Sequence, residues 1–446
     1  MMHYECQIVD NALRCTIVAD QDLTAPVFCF SGMAPMAPTS GGVLLKSVGS
    51  YTEVQLPDLG AGHSHKIEIV YQNGYAPANR AWMPLGPYLR HQGEVITLPQ
   101  TPAGRSVPQG GAVVEVDGLA LIPQPNAWAP TGGSLQADGF AAIDPALAEV
   151  ANLADRQGMV FRGGCDVVIE TADLPEDAYE IEIAAQSVTI RASNYGGRFY
   201  AGITLLTLLQ HGPIPCGQIS DAPRFGWRGQ HLDTARHYYA AETIFALLDL
   251  MAMMKMNRFH WHFADDEAFR LEITCLPELW QATALRGEGQ LMPGLFTGAP
   301  VQGGSYSIET AKDIIAYAKR LNIEVMPEIE TPAHALCLTT LYPDTLDADD
   351  TGTSKSVQGY EMNVLNPAMP KTWEVLEAIA EEVGALFPFG HLHLGCDELP
   401  NGTWLQSPKA RALMDAHGLK TTQDLQGWTI AKLAGFVAGR GIRPAA

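Results

Sequence analysis

Carboxylates and histidines cluster at four places in the second half of the chain, each close behind an apolar run. The four places are Asp233, Asp265-Asp266-Glu267, Glu328 to His334, and Asp397-Glu398. Like charges a few ångströms apart disfavour joint ionisation, so one carboxyl group of an adjacent pair can keep its proton while the other stays ionised. A carboxyl group that is protonated near neutral pH can protonate a leaving oxygen. A solvated loop is the alternative for any single pair, and the recurrence at four places argues against it.

Alternating strands and helices, beginning at Trp227, must position these groups. The spacing of apolar residues predicts strands over 228–232, 257–263, 323–329 and 391–394, and helices over 242–256, 308–321, 371–386 and 423–437. Four strand-helix units predict a parallel α/β sheet, closed as a (β/α)8 TIM barrel or doubly wound. No Gly-x-Gly-x-x-Gly or other phosphate-binding loop follows a strand, which favours the barrel. Reactive groups of such a barrel lie at the carboxyl ends of its strands.

Two other units precede the predicted barrel. Residues 1–118 contain short β-type runs broken by Gly and Pro, which predict a β-sandwich-like domain; carbohydrate binding is one interpretation of it. An irregular β-rich part of a larger domain is the alternative. Residues 119–222 contain strand-like runs and an apolar helix, which predict a small α+β domain. The barrel domain then occupies residues 223–446.

Composition and charge exclude several classes of protein. The 446 residues are 47% hydrophobic, near the globular average, and 17% charged, well below it, which argues against intrinsic disorder. The formal net charge of −21 makes nucleic acid and anionic membranes poor partners. The amino terminus shows no signal peptide, and no apolar stretch reaches the ~20 residues of a membrane span. The eight cysteines are scattered singly, which predicts reduced thiols and a cytoplasmic location in a bacterium.

Two features suggest further ligands. His260-x-His262 and His391-x-His393 have a spacing that can hold zinc. They precede the strand ends, however, so packed or supporting histidines are the preferred interpretation, and no metal or cofactor is predicted. Trp404 lies just beyond the acid pair in a Gly-containing loop, where an indole could line a sugar site. A structural anchor for that loop is the alternative.

Four ordered motifs resemble one known family. The run His391-Leu392-His393-Leu394-Gly395-Cys396-Asp397-Glu398 resembles the His-x-Gly-Gly-Asp-Glu signature of glycoside hydrolase family 20, the β-N-acetylhexosaminidases. Residues 228–238, 257–267 and 326–334 look like the first three barrel strands of that family. Residues 121–209 are similar to the α+β domain that precedes its barrel, so the resemblance covers 121–446.

The resemblance implies a retaining, substrate-assisted mechanism on N-acetylhexosamine-containing oligosaccharides. Glu398 would be the general acid and then the base for water, while Asp397 would hold the 2-acetamido group and stabilise an oxazolinium intermediate. Arg228 would bind sugar hydroxyls. Asp266 and His334 would form a relay that sets the protonation of Glu398.

The chain departs from the family pattern in ways that matter for the pocket and the barrel. Cys396, Ala333 and Glu330 stand where the family has Gly, Gly and Asp, and each adds bulk near the acid pair. Only about four of eight strand-helix units are recognisable. We therefore expect a second polypeptide or a further C-terminal segment to complete the barrel, and little activity from the 446 residues alone.

Two alternatives from other classes stay open on the sequence. A non-catalytic glycan-binding protein with a degenerate or incomplete barrel would bind sugar without turnover. A metal-dependent barrel hydrolase would contain zinc and lose activity to a chelator.

Overall fold

The computed structural model describes residues 2–72, 74–99, 119–350 and 354–446. The first region consists of nine strands and a 3-10 helix at Arg80–Trp82. The strands are β1 (His3–Val9), β2 (Ala12–Val18), β3 (Val27–Ser31), β4 (Met36–Ser40), β5 (Val43–Val48), β6 (Tyr51–Gln55), β7 (Ser64–Tyr71), β8 (Leu85–His91) and β9 (Glu94–Thr97). They form two antiparallel sheets, ordered β1-β2-β7-β4 and β5-β6-β3-β8-β9.

The two sheets of this region share one apolar core. Alternating side chains of both sheets enter it, including Leu13 and Ile67 from the first and Phe28 and Val54 from the second. This is the two-layer packing that period-2 alternation produces when one face of each sheet is buried. The predicted boundary at residue 118 lies in 100–118, outside the described residues, so it stays a prediction.

The second region is a five-stranded sheet with two helices. Its elements are β10 (Ala127–Leu135), α1 (Pro145–Arg156), β11 (Val167–Thr171), β12 (Tyr179–Ile183), β13 (Val188–Ala192), α2 (Tyr195–Leu209) and β14 (Ile214–Asp221). The strand order is β10-β14-β12-β13-β11, and α1 packs against α2. Helix α2 is apolar nearly all round and is buried along most of its length, which joins the sheet to the rest of the core.

The third region alternates strands and helices and adds short ribbons between them. Its strands are β15 (Gly229–Asp233), β16 (Arg258–His262), β17 (Ala264–Asp265), β18 (Ala268–Phe269), β19 (Leu285–Arg286), β20 (Gln302–Gly303), β21 (Glu324–Thr331), β22 (His391–Gly395) and β23 (Arg443–Ala445). Its helices are α3 (Ala241–Met253), α4 (Pro277–Thr283), α5 (Ile308–Arg320), α6 (Leu336–Leu341), α7 (Pro370–Leu386), α8 (Pro408–His417) and α9 (Thr422–Ala438), with a 3-10 turn at Pro343–Thr345.

The barrel sheet is parallel in the order β15-β16-β21-β22-β23. It therefore contains a short fifth strand beyond the four that the sequence predicts. Alternation within β16 explains its orientation: Phe259 and Trp261 are buried in the main core, whereas His260 and His262 face the other side and contact Glu328. The inner face of the sheet is consequently polar.

Candidate functional site

The carboxyl ends of four parallel strands bring the predicted acids and His334 together. Nε2 of His334, which follows β21, lies 3.3 Å from Oε2 of Glu398 and 3.9 Å from Oδ2 of Asp397. The side chains of Asp397 and Glu398 are 64% and 44% exposed, whereas that of His334 is 2% exposed. The acid pair thus faces solvent over a buried histidine.

Two buried aspartates hold the other nitrogen of His334. Nδ1 lies 3.3 Å from Oδ1 of Asp265 and 3.6 Å from Oδ2 of Asp266. Asp266 also accepts hydrogen bonds from the backbone N–H of Leu336 at 3.0 Å and from Nδ2 of Asn363 at 3.1 and 3.2 Å. The structure therefore places Asp266, His334 and Glu398 close together, with Asp265 rather than Asp266 within hydrogen-bond distance of Nδ1, and the relay itself stays a prediction.

Burial and close charges shift the pKa values of this group. Burial lowers the pKa of His334, but its contacts with Asp265 and Asp266 outweigh this and raise the pKa to about 11. Burial raises the pKa of Asp266, and the negative charge of Asp265 adds to that rise. Burial would also raise the pKa of Asp265, but His262, His334 and Arg236 lower it well below its usual value. His334 consequently keeps a proton beside Glu398 at neutral pH.

Arg236 is a site residue that the sequence reasoning missed. It follows β15, and its Nη1 donates to Oδ2 of Asp233 at 2.8 Å while its Nη2 lies 2.7 Å from Oδ2 of Asp265. With its amide oxygen turned to the guanidinium, Gln358 accepts from Nε at 3.0 Å and from Nη2 at 2.8 Å. The side chain of Arg236 is 33% exposed, so it can also reach a ligand.

The structure places Arg228 before β15, at the amino end of the sheet and away from the acid pair, which argues against its predicted role in sugar binding. Its guanidinium donates to the backbone oxygens of Lys255 and Phe225, both at 2.7 Å, and to Oη of Tyr200 at 3.1 Å. Five residues of strand separate it from the catalytic end, roughly 15 Å at the usual rise. The available signal was position: Arg236 follows the strand, where reactive groups of a barrel lie.

The position of Trp404 likewise argues against its predicted role as a sugar-binding wall. Its side chain is 3% exposed and packs among Ala333, Val364, Ala410 and Leu425. Burial against apolar neighbours leaves no face of the indole for a sugar ring. Trp404 instead anchors the loop that follows the acid pair, which is the alternative considered for it.

Histidines converge on Glu328 inside the sheet. Its carboxylate lies 2.6 Å from Nδ1 of His262, 2.9 Å from Nε2 of His260 and 2.7 Å from Nδ1 of His393. Burial raises the pKa of Glu328, but these contacts lower it well below its ordinary value. The histidines from two predicted pairs therefore meet at one carboxylate, which the separation of the motifs along the chain had concealed. Glu328, His260 and His393 could ligate a divalent ion, and in the structure both histidines lie in direct contact with the carboxylate.

Three residues at the site adopt left-handed backbone conformations. The φ angles of His334, Cys396 and Glu398 are 52°, 87° and 49°. Such conformations cost a residue other than glycine ~1 kcal/mol or more, and they persist where the surrounding structure determines them. Neighbouring Gly395 has a φ of 68°, and a Cβ there would lie 2.0 Å from Oε2 of Glu330, so a substitution would force that side chain to move.

The fold and the site together define a catalytic domain of the TIM-barrel type: a parallel sheet carries an exposed acid pair over a buried, charged histidine at the carboxyl ends of its strands. The chain belongs to glycosyl hydrolase family 20. Residues 225–446 match the model of the family 20 catalytic domain, and residues 145–222 match the model of its domain 2.

Relatives and solved structures agree with this assignment. The chain is 36% identical over 326 residues to a beta-hexosaminidase of Vibrio furnissii, covering 69% of this chain and 53% of that protein. It is 32% identical over 312 residues to the N,N'-diacetylchitobiase of Vibrio harveyi, covering 60% and 35%. A family 20 exo-β-N-acetylglucosaminidase from Vibrio harveyi, solved with N-acetylglucosamine, superposes with a TM-score of 0.85 at 28% identity over 99% of this chain and 74% of that one.

These comparisons support the predicted TIM-barrel catalytic domain with preceding domains. The chain spans about half or less of the length of the two curated relatives above. In the part of the chain that the structure describes, no helix has the length and hydropathy needed to cross a membrane.

Proposed function

We propose that this chain carries the acid-base machinery of a β-N-acetylhexosaminidase, which removes terminal, non-reducing β-linked GlcNAc or GalNAc from oligosaccharides. The observation that carries the proposal is the contact of Glu398 with Nε2 of the buried His334 at 3.3 Å. Asp265 and Asp266 lie on the Nδ1 side of the imidazole, so its Nε2 faces the one group that must both give and take a proton.

The reaction would proceed in two steps with retention at the anomeric carbon. Asp397 would accept a hydrogen bond from the acetamido N–H, so that the carbonyl oxygen of the substrate attacks the anomeric carbon as Glu398 protonates the departing glycosidic oxygen. The bond to the leaving group breaks, and a cyclic oxazolinium forms whose positive charge ionised Asp397 stabilises. Glu398 would then remove a proton from water, whose oxygen attacks the anomeric carbon and reopens the ring.

Sugar binding would depend on Arg236 rather than Arg228. The Arg236 guanidinium lies at the same end of the sheet as the acid pair, and it is held by Asp233 and Asp265 without being buried. An arginine fixed in this way can donate two hydrogen bonds to neighbouring hydroxyl groups. The names of the relatives, among them beta-hexosaminidases and an N,N'-diacetylchitobiase, support an N-acetylhexosamine substrate.

Hydrolysis of 4-nitrophenyl β-GlcNAc, at enzyme concentrations high enough to detect the low rate expected of the 446 residues alone, together with binding of an N-acetylglucosamine thiazoline, tests the proposal. We expect the Glu398→Gln variant to lose roughly 10²–10⁴-fold in rate, the usual contribution of a general acid. Glu374→Gln is the matched control, because Glu374 lies on an exposed face of α7 beside Lys371. Equal rates for wild type and Glu398→Gln, or neither hydrolysis nor thiazoline binding by wild type, would contradict the proposal. Binding without turnover would favour a glycan-binding protein.

A further inference from the structure

The N-terminal β region touches the third region on the side of the candidate site. One apolar cluster contains side chains from both: Cys29, Tyr51 and Tyr88 from the second β-sheet, and Met292, Leu295 and Tyr360 from loops of the barrel domain. Two glycines mark the closest approach. A Cβ at Gly49 would lie 2.5 Å from the ring of Tyr360, and a Cβ at Gly359 would lie 2.3 Å from Cγ of Pro35. The loop at 359–360 is therefore fitted to the N-terminal region.

A first path of contacts leads from this interface to the Arg236 guanidinium. The buried hydroxyl of Tyr360 donates to Oε1 of Glu267 at 2.9 Å. The other oxygen of Glu267 is buried, has no hydrogen-bond partner among the described residues, and lies 3.8 Å from Nε of Arg236. Tyr360 thus orients the carboxyl group that stands next to the guanidinium.

A second path leads from the same sheet to the Arg236 backbone. Oη of Tyr88 donates to Oε2 of Glu288 at 2.5 Å, and Nη1 of Arg90 donates to Oε1 of Glu288 at 3.0 Å. Two residues before Glu288, the buried Arg286 donates through Nη1 to the backbone oxygen of Arg236 at 2.5 Å. The N-terminal region therefore contacts both the loop at 286–288 and the loop at 359–360. The first loop contacts Arg236 through Arg286, and the second is connected to it through Glu267.

We propose that the N-terminal β region positions Arg236 for sugar binding, through Tyr360 and Glu267 on one path and through Glu288 and Arg286 on the other. The sugar-binding part rests on the function proposed above. Tyr360 is a positioning residue in this scheme and does not touch substrate. The region would therefore act on the affinity for the sugar more than on the proton transfers at Glu398.

Two pairs of variants test the proposal. Tyr360→Phe removes the hydroxyl and keeps the ring, and its control is Tyr71→Phe, since Tyr71 donates to the backbone oxygen of Trp82 within the N-terminal region. Gly49→Ala, at a φ of 54°, forces the Tyr360 ring to move; its control, Gly93→Ala at a φ of 85°, has the same kind of backbone strain and meets nothing within 4 Å. KM and kcat for 4-nitrophenyl β-GlcNAc are measured, with amide hydrogen exchange over residues 230–240.

We expect Tyr360→Phe and Gly49→Ala to raise KM about fivefold, the size of one ordinary hydrogen bond, with kcat within about twofold. Both should speed exchange over 230–240, and neither control should. Unchanged KM and exchange in the two test variants, or equal changes in test and control, would overturn the proposal. If wild type neither cleaves nor binds sugar, the function proposed above fails, while the exchange data still decide whether the N-terminal region holds Arg236.

Discussion

Both ends of the barrel sheet carry charged residues, but the two ends differ in how these residues are buried and partnered. At the amino end, Arg228 is held by backbone oxygens, and the buried Lys255 donates to Oη of Tyr179 at 2.7 Å and to Oδ2 of Asp221 at 3.2 Å. These contacts join the second region to the barrel. At the carboxyl end, Asp397 and Glu398 are exposed above the charged His334.

The difference lies in how the charges are partnered. A cavity of about 980 Å³ opens at the amino end, yet charged residues that line it form ion pairs, such as Arg320 with Glu149 at 3.5 Å. Carboxylates at the other end crowd together, so burial and mutual repulsion raise the pKa of Glu267 to about 8 and that of Glu330 well above its usual value. The candidate site is therefore distinguished by titratable groups with shifted pKa values and not by the size of a cavity.

The sharpest test of this comparison exchanges the two arginines for alanine. We expect Arg236→Ala to lower kcat/KM for 4-nitrophenyl β-GlcNAc by about 100-fold, the value of one or two charge-assisted hydrogen bonds. Steady-state kinetics at one pH measure it, with circular dichroism as a check on folding. A loss in Arg228→Ala that equals or exceeds the loss in Arg236→Ala would reverse the functional assignment of the two ends.

Arg228→Ala should affect stability instead. Loss of three hydrogen bonds from a guanidinium to two backbone oxygens and a tyrosine is expected to lower the free energy of unfolding by about 2–3 kcal/mol. KM should stay within about twofold of wild type. Urea denaturation provides the measurement. An unchanged unfolding midpoint would show that the contacts of Arg228 at the amino end do not stabilise the fold.

The crowding of carboxylates predicts a pH dependence. Burial, with the charges of Asp265 and Asp266, raises the pKa of Glu267 from an ordinary 4.5 to about 8, so its protonated form is favoured in the folded state. Its contribution to stability is complete below about pH 4.5 and is lost as the pH rises toward 8. We expect Glu267→Gln to flatten the fall of the unfolding free energy between pH 5 and 8, measured with urea, relative to Glu374→Gln. Parallel curves for the two variants would be evidence against this.

Trp404→Phe should have the smallest effect on binding. Because the indole is buried among apolar side chains, the change should cost about 1–2 kcal/mol in stability through lost packing and leave KM within about twofold. Measuring both quantities on one preparation separates the two interpretations of this residue. A tenfold rise in KM would restore the sugar-binding wall that the sequence suggested.

Much of the barrel could be predicted from periodicity. The predicted helix over 308–321 is observed as Ile308–Arg320, and Ser307 caps it by accepting from the N–H of Thr310. The predicted strand over 391–394 is observed as His391–Gly395. Such patterns depend on residues that are close together in the chain, so they can be recognised without knowledge of tertiary contacts. The short ribbons β17 to β20 went unpredicted, because two-residue strands carry no periodic signal.

The candidate site was predictable in part, for a related reason. Asp397, Glu398, His334 and Asp266 were identified from motifs, and the structure brings them together. Arg228 was assigned to sugar binding although the predicted strand over 228–232 begins with it, and Arg236, which follows that strand, was overlooked. Gln358 and Tyr360 come from a loop far along the chain from Arg236, and nothing in the sequence pairs them with it.

The sequence by itself determined the alternation of strands and helices, the family and the order of the acid motifs, because each is a pattern among neighbouring residues. Only the tertiary structure decided that Arg236 lies beside His334, that Trp404 is buried, and that His260, His262 and His393 meet at Glu328. Those outcomes depend on which end of a strand a residue occupies and on contacts between distant segments. Burial and charge then set the pKa values, and both exist only once the chain has folded.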